Sequence, residues 1–432
     1  MKVFIGLTEI AGYFSNLKKG FELNKINSTF LDLTNHNFNY GGNDNDLFLL
    51  VKLILKLKLI QDKTKNNSIF KIAYFTEKSL RILLFIQILF THDVFIFSFA
   101  NSFLKYKDLP ILKFFNKKII YVFLGSDSRP PYIDGFIISK ISEPKYEKLY
   151  ESSKKQKENI STIEKYSDYI IDHIPQALFH EKKFIPLSKI GIPFSSKYSY
   201  SENKTLKNLN SVKILHSPSN IEVKGTLLIR EVIKEIKNKG YNIEFIEVIN
   251  KPNSYVIEKI NECDIIIDQI YSDTPMAGFS TEAAFFGKPV VVCGYYSDYI
   301  SMHVEESLIP PTIFCSFEKL EENIIRLIED YDYRILLGNN SRYFVANVLN
   351  PSVVAEKYLN IINNNIDNSY FFDPNNIDYI YGGGIEKNNL REIIKKLVDK
   401  YGIKSLQLKD KPHLEKLFLN FIKEENNVEQ IF

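Results

Sequence analysis

The residues best suited to chemistry are a lysine and a glycine-led helix start that stand far apart in the sequence. Lys224-Gly225 follows one predicted strand, and Gly278-Phe279-Ser280-Thr281-Glu282 follows another, Cys263–Asp268. A lysine supplies fixed positive charge, and a helix N-terminus presents unpaired backbone N–H groups. Both features suit a departing diphosphate, whose developing negative charge must be neutralised.

Glu282 lies one turn into this predicted helix, which ends at Gly287, as many helices end at a glycine. A carboxylate in that place can accept hydrogen bonds from the paired hydroxyl groups of a ribose. We therefore predict that Lys224 and Glu282 are the catalytic residues of a nucleotide-binding site.

Two series of alternating strands and helices are predicted to position these residues, because such alternation is typical of parallel sheets covered on both faces. The first series has strands at Lys2–Ile5, Phe30–Leu33, Val94–Phe99, Ile119–Leu124 and Tyr169–Ile174. The second has strands at Lys213–His216, Ile243–Ile249, Ile265–Asp268 and Val290–Cys293, with helices at Leu227–Ile236, Tyr255–Ile260, Thr281–Phe286 and Leu320–Glu329. Ligands of such sheets bind at the carboxyl ends of the strands, where Lys224 falls.

A chain of 432 residues exceeds what one core usually holds. The polar stretch Ser195–Lys204 is the best linker candidate. We therefore expect an N-terminal lobe at residues 1–195 and a C-terminal lobe at 205–365, with a cleft between them. Residues 366–432 are expected to form a small helical appendage.

Within the appendage, two apolar helical stripes are joined by Ser405–Leu408, whose pattern predicts a short strand. Gly382-Gly383-Gly384 predicts a hinge or turn rather than a phosphate cradle, because no Lys-Ser/Thr pair follows it.

Three residues of the first lobe are candidates on the other side of the cleft. Gly12 follows the first strand, where a glycine suits either the close approach of a ligand or a tight strand-to-helix turn. Asp127 and Arg129 follow the strand Ile119–Leu124, where an acceptor would dock. An Asp-Arg pair that caps the turn is the alternative interpretation.

Two further motifs are interpreted as structural. His216 ends a strand beside the Lys224 loop. We interpret it as a hydrogen-bonded strand-end histidine rather than a phosphate ligand. Asp44-Asn45-Asp46 imitates an acidic metal motif, but it lies far in sequence from the donor residues and predicts a turn. We expect no metal and no other cofactor.

The net charge of +3 hides an asymmetry between the lobes. Residues 1–200 hold 29 Lys/Arg against 19 Asp/Glu, and residues 201–432 hold 26 against 33. The basic residues concentrate at 51–118, which include the basic amphipathic segment Leu49–Ile60. The excess predicts an anionic partner for this lobe, and we favour a membrane surface over nucleic acid because no nucleic-acid-binding motif accompanies the charge. For Leu49–Ile60 alone, burial of the apolar face is the preferred interpretation.

Other sequence features favour a cytoplasmic location. No apolar run is long enough to cross a membrane, and polar residues interrupt the first strand, unlike the core of a signal peptide. Cys263, Cys293 and Cys315 are odd in number and form neither a disulfide nor a metal pattern, so they predict small core residues in a reducing compartment.

The motifs together resemble family 4 glycosyltransferases of the GT-B fold, of the bacterial or archaeal surface-glycan type. The matching segments are His216 to Thr226, Asp268-Gln269, Glu282-Ala283-Ala284, Gly287-Lys288-Pro289-Val290 and Ser341-Arg342-Tyr343 to Tyr358-Leu359, with Ala11-Gly12 and Gly125 to Arg129 in the first lobe. The resemblance implies an α/β architecture of two Rossmann-like, doubly wound parallel-sheet lobes that face a cleft.

By this resemblance, Lys224 would neutralise the donor diphosphate and Glu282 would hold the ribose. The donor-binding set would also include Gly12, Gly225, Asp273, Gly278, Phe279, Ser280 and Thr281, and the acceptor-side set Asp127 and Arg129. The resemblance implies transfer of a sugar from a nucleoside diphosphate sugar to a lipid-linked or nascent glycan at the inner membrane face, with the anomeric configuration retained.

The chain departs from the family pattern at three positions. Thr274 stands where the family has a second acidic residue, although Asp273 is adjacent. Pro218 replaces an arginine that often precedes the lysine, and Leu124 replaces a histidine before the Gly-Ser-Asp turn. These departures favour one alternative, a catalytically silent nucleotide-sugar-binding partner. A nucleotide-sugar epimerase is a second alternative because it can share this two-lobe fold, but it would need an acid/base pair at the sugar ring and none is apparent.

Overall fold

The computed structural model of the chain describes residues 1–33, 48–99, 101–140, 146–199 and 211–424. Within them, two parallel sheets of six and five strands form the centres of two lobes. The predicted turn Asp44-Asn45-Asp46 and residues 200–204 of the predicted linker lie outside the described residues.

The N-terminal lobe is built on the six-stranded sheet. Its strands are β1 (Lys2–Leu7), β2 (Asn27–Asp32), β3 (Val94–Ser98), β4 (Lys118–Val122), β5 (Tyr169–Asp172) and β6 (Ile185–Pro186), in the order β2-β1-β3-β4-β5-β6. Its helices are α1 (Tyr13–Leu23), α2 (Phe48–Lys63), α3 (Asn67–Thr91), α4 (Leu109–Phe114), α5 (Gly135–Ser139), α6 (Tyr146–Tyr166) and α7 (Leu187–Ile190). Alternate residues of β3 enter the cores on opposite faces of the sheet, which explains its unbroken apolar sequence.

The C-terminal lobe repeats this plan with five strands. They are β7 (Val212–His216), β8 (Ile243–Glu247), β9 (Ile265–Ile267), β10 (Val290–Cys293) and β11 (Ile313–Cys315), in the order β11-β10-β9-β7-β8. The helices are α8 (Thr226–Asn238), α9 (Asn253–Glu262), α10 (Gly278–Phe285), α11 (Ile300–His303), α12 (Leu320–Glu329) and α13 (Tyr331–Asn347). The next helix, α14 (Pro351–Ile362), lies in the core of the N-terminal lobe. The predicted fold class, two doubly wound parallel-sheet lobes of the GT-B type, is confirmed.

Helix α14 returns from the second lobe and packs against α1 of the first. The hydroxyl groups of Tyr13 and Tyr358 are 2.8 Å apart in this contact. Backbone atoms of α14 also approach Gly20 so closely that a Cβ there would lie 2.0 Å from the Pro351 carbonyl oxygen. The chain therefore crosses back after the second lobe, and α14 completes the core of the first.

The last described segment carries the two predicted helices, α15 (Lys387–Tyr401) and α16 (Pro412–Lys423). Their apolar faces belong to the same buried cluster as β3, β4 and α6 of the N-terminal lobe. The predicted strand at Ser405–Leu408 is wrong. Residues Ile403–Leu406 form a 3-10 helix, and Gln407 adopts a left-handed conformation that ends it. Leu406 and Leu408 are both buried, so their alternation marks core contacts and not a strand.

Candidate functional site

Lys224 lies where the winding of the second sheet reverses. β7 has β8 on one side and β9 on the other, and a crevice opens at such a point at the carboxyl ends of the strands. Lys224 belongs to the loop after β7, whereas Asp268 and Gln269 follow β9 directly. The Lys224 ammonium donates to Asp268 Oδ1 at 3.1 Å and to Gln269 Oε1 at 2.6 Å.

Asp268 also joins this lysine to the start of α10. Ser280 Oγ donates to the second carboxylate oxygen, Asp268 Oδ2, at 2.5 Å. Helix α10 begins at Gly278 without a side-chain cap, and a side chain at Gly278 would meet open space. The structure therefore brings the predicted cation and the predicted helix start together, with Asp268 between them.

The other donor-side residues of α10 offer mainly backbone groups. Phe279 packs partly against the apolar cluster beneath α9 and α10. The Thr281 hydroxyl is used within the helix, where it donates to the Ala277 carbonyl at 2.8 Å. The groups of this helix start that can bind an anion are therefore the backbone N–H groups of its first turn.

Glu282 lies on the same helix and is held by Asn253, the first residue of α9. Asn253 Nδ2 donates to Glu282 Oε1 at 2.9 Å. Burial raises the pKa of Glu282 above its ordinary value, and the bond from Asn253 offsets this only in part. Sequence reasoning missed Asn253, which stands far from Glu282 in the chain and belongs to no motif.

Gly225 has a packing role that the structure makes plain. Its φ of 67° is left-handed, and a Cβ would lie 2.7 Å from the side chain of Ile270. Glycine therefore allows the Lys224 loop to lie directly on the segment after β9, which places the lysine beside Asp268.

Asp273 is engaged in an ion pair that crosses between the lobes. Arg129 donates to Asp273 through Nε at 3.2 Å and also through Nη2, and Gln176 Nε2 donates to the same oxygen at 2.9 Å. Arg129 Nη1 reaches Asp134 at 3.1 Å. Burial alone would raise the pKa of Asp273, but Arg129, His173 and the hydrogen bond from Gln176 together outweigh burial, so this pKa lies below its ordinary value.

The triple glycine of the C-terminal segment lies at this same junction. Gly384 N donates to the Tyr271 carbonyl at 2.7 Å, and Gly135 N donates to the Gly383 carbonyl at 2.9 Å. Gly382 and Gly384 have φ values of 62° and 74°, and Gly383 forms an isolated parallel bridge with Asp134. Because the triple glycine contacts both lobes, it joins them beside the Arg129–Asp273 pair.

Asp127 is buried and caps its own turn. Its Oδ1 accepts from the Leu124 N–H at 3.0 Å. Its Oδ2 is buried and has no hydrogen-bond partner among the described residues. Burial, with a further contribution from Asp172, raises the pKa of Asp127 to about 7. The capping interpretation therefore describes Asp127, whereas Arg129 turns away from it to the other lobe.

Gly12 begins α1 in a left-handed conformation, with a φ of 82°. The N-terminus of that helix is already occupied by an internal anion, because the Glu9 carboxylate accepts the N–H groups of Ile10, Phe14 and Ser15 at 2.8 to 3.1 Å. Glu9 was not predicted, although a carboxylate just before a helix is a recognisable capping signal. The tight turn accounts for this glycine.

A cavity of about 80 Å³ lies between the lobes and is lined mostly by apolar side chains. His173, Asp273 and Thr274 supply polar groups to its wall. His173 was also missed by sequence reasoning, although its place just after β5 is where such a sheet presents functional residues. Burial lowers its pKa, which favours the neutral imidazole.

His216 is a hydrogen-bonded strand-end histidine, as predicted. Its two ring nitrogens lie 2.9 Å from the Ile267 carbonyl and 2.9 Å from the Thr226 hydroxyl. Across the described ranges of the chain, no group of three or more His, Cys, Asp or Glu side chains could hold a metal ion.

Comparisons with solved structures find similar folds at low sequence identity. The structure of Anabaena Alr3699/HepE in complex with UDP is 12% identical in sequence and has a TM-score of 0.47. Its alignment covers 84% of this chain and 99% of the HepE chain. TarM is 11% identical with a TM-score of 0.49, covering 84% and 98%. The S. aureus MnaA–UDP structure is 14% identical with a TM-score of 0.40, covering 84% and 96%. No protein-family model matches the sequence, and no curated protein matches it significantly.

Proposed function

We propose that this protein is a glycosyltransferase that moves a sugar from a nucleoside diphosphate sugar to a lipid-linked or nascent glycan acceptor, with retention of the anomeric configuration. The observation that carries the proposal is the contact chain Lys224–Asp268–Ser280, which joins a cation to an uncapped helix start at the sheet's reversal point. Sequence resemblance to family 4 glycosyltransferases supports the finer assignment.

In this proposal, Lys224 and the start of α10 neutralise the leaving diphosphate. A lysine ammonium has three N–H donors, and Asp268 and Gln269 use two of them. The third can meet a phosphate oxygen while the first two hold the ammonium in place. Backbone N–H groups at Gly278 and Phe279 supply further donors, so the proposed reaction needs no metal.

The remaining groups hold the substrates. Glu282 accepts hydrogen bonds from the ribose hydroxyl groups, with Asn253 fixing its carboxylate. The bond from the anomeric carbon to the leaving phosphate oxygen breaks as the acceptor oxygen bonds to that carbon on the same face. The departing phosphate takes the acceptor's proton. Asp127 and Arg129 are proposed to shape the acceptor side through the turn cap and the lobe contact.

The test is sugar transfer by Lys224→Ala. Loss of one donor to a developing oxyanion typically lowers the rate about 10²- to 10³-fold, which is the expected result. Lys224→Gln is the second variant. Its amide can still donate to Asp268, so the buried carboxylate keeps a partner and the variant is expected to fold. Lys234→Ala, an exposed lysine of α8, is the matched control and should transfer sugar at the wild-type rate. Turnover near wild type in both Lys224 variants would contradict the proposal.

A catalytically silent nucleotide-sugar-binding protein is the second candidate. The ion pair between Asp273 and Arg129 favours this candidate. Asp273 is the acidic residue nearest to the position at which the family binds the donor sugar, and its carboxylate is already bound to Arg129. Mixing the protein with donor and membrane extract separates the candidates. Release of nucleotide supports the enzyme, whereas binding without release supports the silent partner.

We also propose that the protein works in the cytoplasm at the inner face of the cell membrane, with its basic N-terminal lobe towards an anionic surface. A lipid-linked acceptor would be presented there. No helix in the described ranges is long and apolar enough to cross a membrane.

A further inference from the structure

The outer face of α3 carries exposed apolar side chains over most of the helix, and the exposed polar residues Thr76 and Ser79 interrupt them near its middle. Its most exposed apolar side chains are Ile72, Phe75 and Phe90, at 69%, 65% and 67% exposure. Ile69, Leu83 and Ile86 are also exposed. Successive members of this set are three, three, eight, three and four residues apart, which puts all six on one face of the helix. At 1.5 Å per residue this face is roughly 30 Å long. Exposed apolar patches of that extent mark interaction sites.

Neighbouring elements extend the same surface at its C-terminal end. The rings of Phe90 and Phe115 are 5.5 Å apart, and those of Phe115 and Phe114 are 5.3 Å apart. Phe114 is 81% exposed. On α2, which packs beside α3, Leu49 and Leu53 are exposed as well. We refer to α2, α3 and Phe114-Phe115 as the hairpin surface.

The exposed charges of this surface are almost all positive. The exposed lysines of residues 48–91 are Lys52, Lys56, Lys63, Lys65, Lys71 and Lys78. Asp62 is the exposed acidic residue of the same range, while Glu77 is buried and paired with Arg81. Aromatic and aliphatic side chains flanked by lysines are the pattern by which a helix lies in an anionic lipid interface.

We propose that the hairpin surface binds an anionic lipid bilayer, with α3 lying in the plane of the membrane and its apolar face among the acyl chains. The proposal rests on the proposed function in one respect, since a lipid-linked acceptor would then reach the same lobe. For Leu49–Ile60 the sequence favours burial of the apolar face, and the proposal accordingly places α3 at the centre of the contact with α2 beside it. A protein partner for this face would need acidic residues to match the lysines, and the bilayer supplies that charge continuously.

The experiment is vesicle flotation of the whole chain without donor or acceptor. Vesicles of phosphatidylglycerol with phosphatidylcholine are expected to carry the protein up the gradient, and phosphatidylcholine alone to carry much less. Ile72→Glu combined with Phe90→Glu should lower the partition coefficient about 100-fold or more, because both side chains lose their apolar transfer. Lys71→Gln combined with Lys78→Gln should lower it about 30-fold on anionic vesicles.

The matched control is Met302→Glu combined with Leu336→Glu, two apolar residues of the other lobe with 62% and 58% exposure. This control should float as the wild type does. Unchanged flotation of the α3 variant, or equal binding to neutral vesicles, would overturn the proposal. So would a wild-type dimer in light scattering that the α3 variant abolishes, because the face would then be a protein interface.

Nucleotide-sugar binding is measured in parallel by thermal shift. A protein that floats but binds no donor would refute the proposed function and leave the membrane surface intact, while the reverse result would refute the surface alone.

Discussion

Replacement of Asp127 by asparagine tests the electrostatics behind the Gly-Ser-Asp turn. The asparagine side chain would keep the oxygen that accepts from the Leu124 N–H, so the turn cap survives. It would also replace the buried, unpartnered Oδ2 by an amide N–H₂ group. The amide group is uncharged, and the neighbouring Asp172 carboxylate disfavours a negative charge on residue 127. The substitution therefore removes a charge while conserving shape.

The magnitude follows from the pKa of Asp127, which burial raises from its ordinary value of 3.8 to about 7. The folded state holds this proton more tightly than the unfolded state, so the free energy of unfolding falls as pH rises from about 4 to about 7. Each unit is worth 1.36 kcal/mol, so the ionised carboxylate costs about 4 kcal/mol above pH 7. The asparagine variant should gain about 1 to 2 kcal/mol at pH 5 and about 4 kcal/mol at pH 8.

The assay is urea unfolding of both proteins at the two pH values, with Asp399→Asn as control. Asp399 is exposed on α15, and its variant should differ from the wild type by less than about 0.5 kcal/mol. A stability gain for Asp127→Asn that does not grow with pH would refute the reasoning. Because the cap is conserved, a loss of sugar transfer by this stable variant would assign Asp127 a direct role with the acceptor.

Two further predictions concern the donor side and the lobe contact. Burial raises the pKa of Glu282, so Glu282→Gln should unfold at higher urea than the wild type at pH 8. The same variant should bind donor more weakly in a thermal-shift titration, since an amide is a poorer acceptor for ribose hydroxyl groups than a carboxylate. Unchanged donor affinity would contradict the ribose role. Arg129→Ala leaves the Asp134 and Asp273 carboxylates buried without their cation and should cost about 3 to 5 kcal/mol of unfolding free energy. A cost below about 1 kcal/mol would mean that water solvates the pair.

Much of the fold was predictable because buried parallel strands carry a strong local signal. β4, β9 and β10 are short, nearly unbroken apolar runs separated by helical patterns, and each was placed within a few residues. Lys224 and Gly278 could be associated because both belong to the segments that follow carboxyl ends of strands, and these ends meet at one edge of a sheet. The strand order then brings them together.

The remaining features depend on contacts that have no local signature. Arg129 and Asp273 are 144 positions apart, and neither the pair nor its burial can be read from composition. The α3 sequence is apolar on both sides of the helix, so periodicity could not separate the core face from the exposed one. Exposure of Ile72 and Phe90 is decided by where α3 packs on the lobe.

The lobe contact and the proposed donor site are mechanically linked through the triple glycine. A Cβ at Gly384 would lie 2.7 Å from Val223, the residue before Lys224, and the Gly384 N–H bonds to Tyr271, two residues before Asp273. The glycines are continuous with α15, which is packed into the N-terminal core. Any separation of the lobes must therefore break the Gly384–Tyr271 bond and the Arg129–Asp273 pair together. A ligand that binds one lobe arrangement more tightly than another shifts such an equilibrium by its difference in binding free energy. If the donor binds at the proposed site, we therefore expect its binding to be coupled to lobe separation through these two loops.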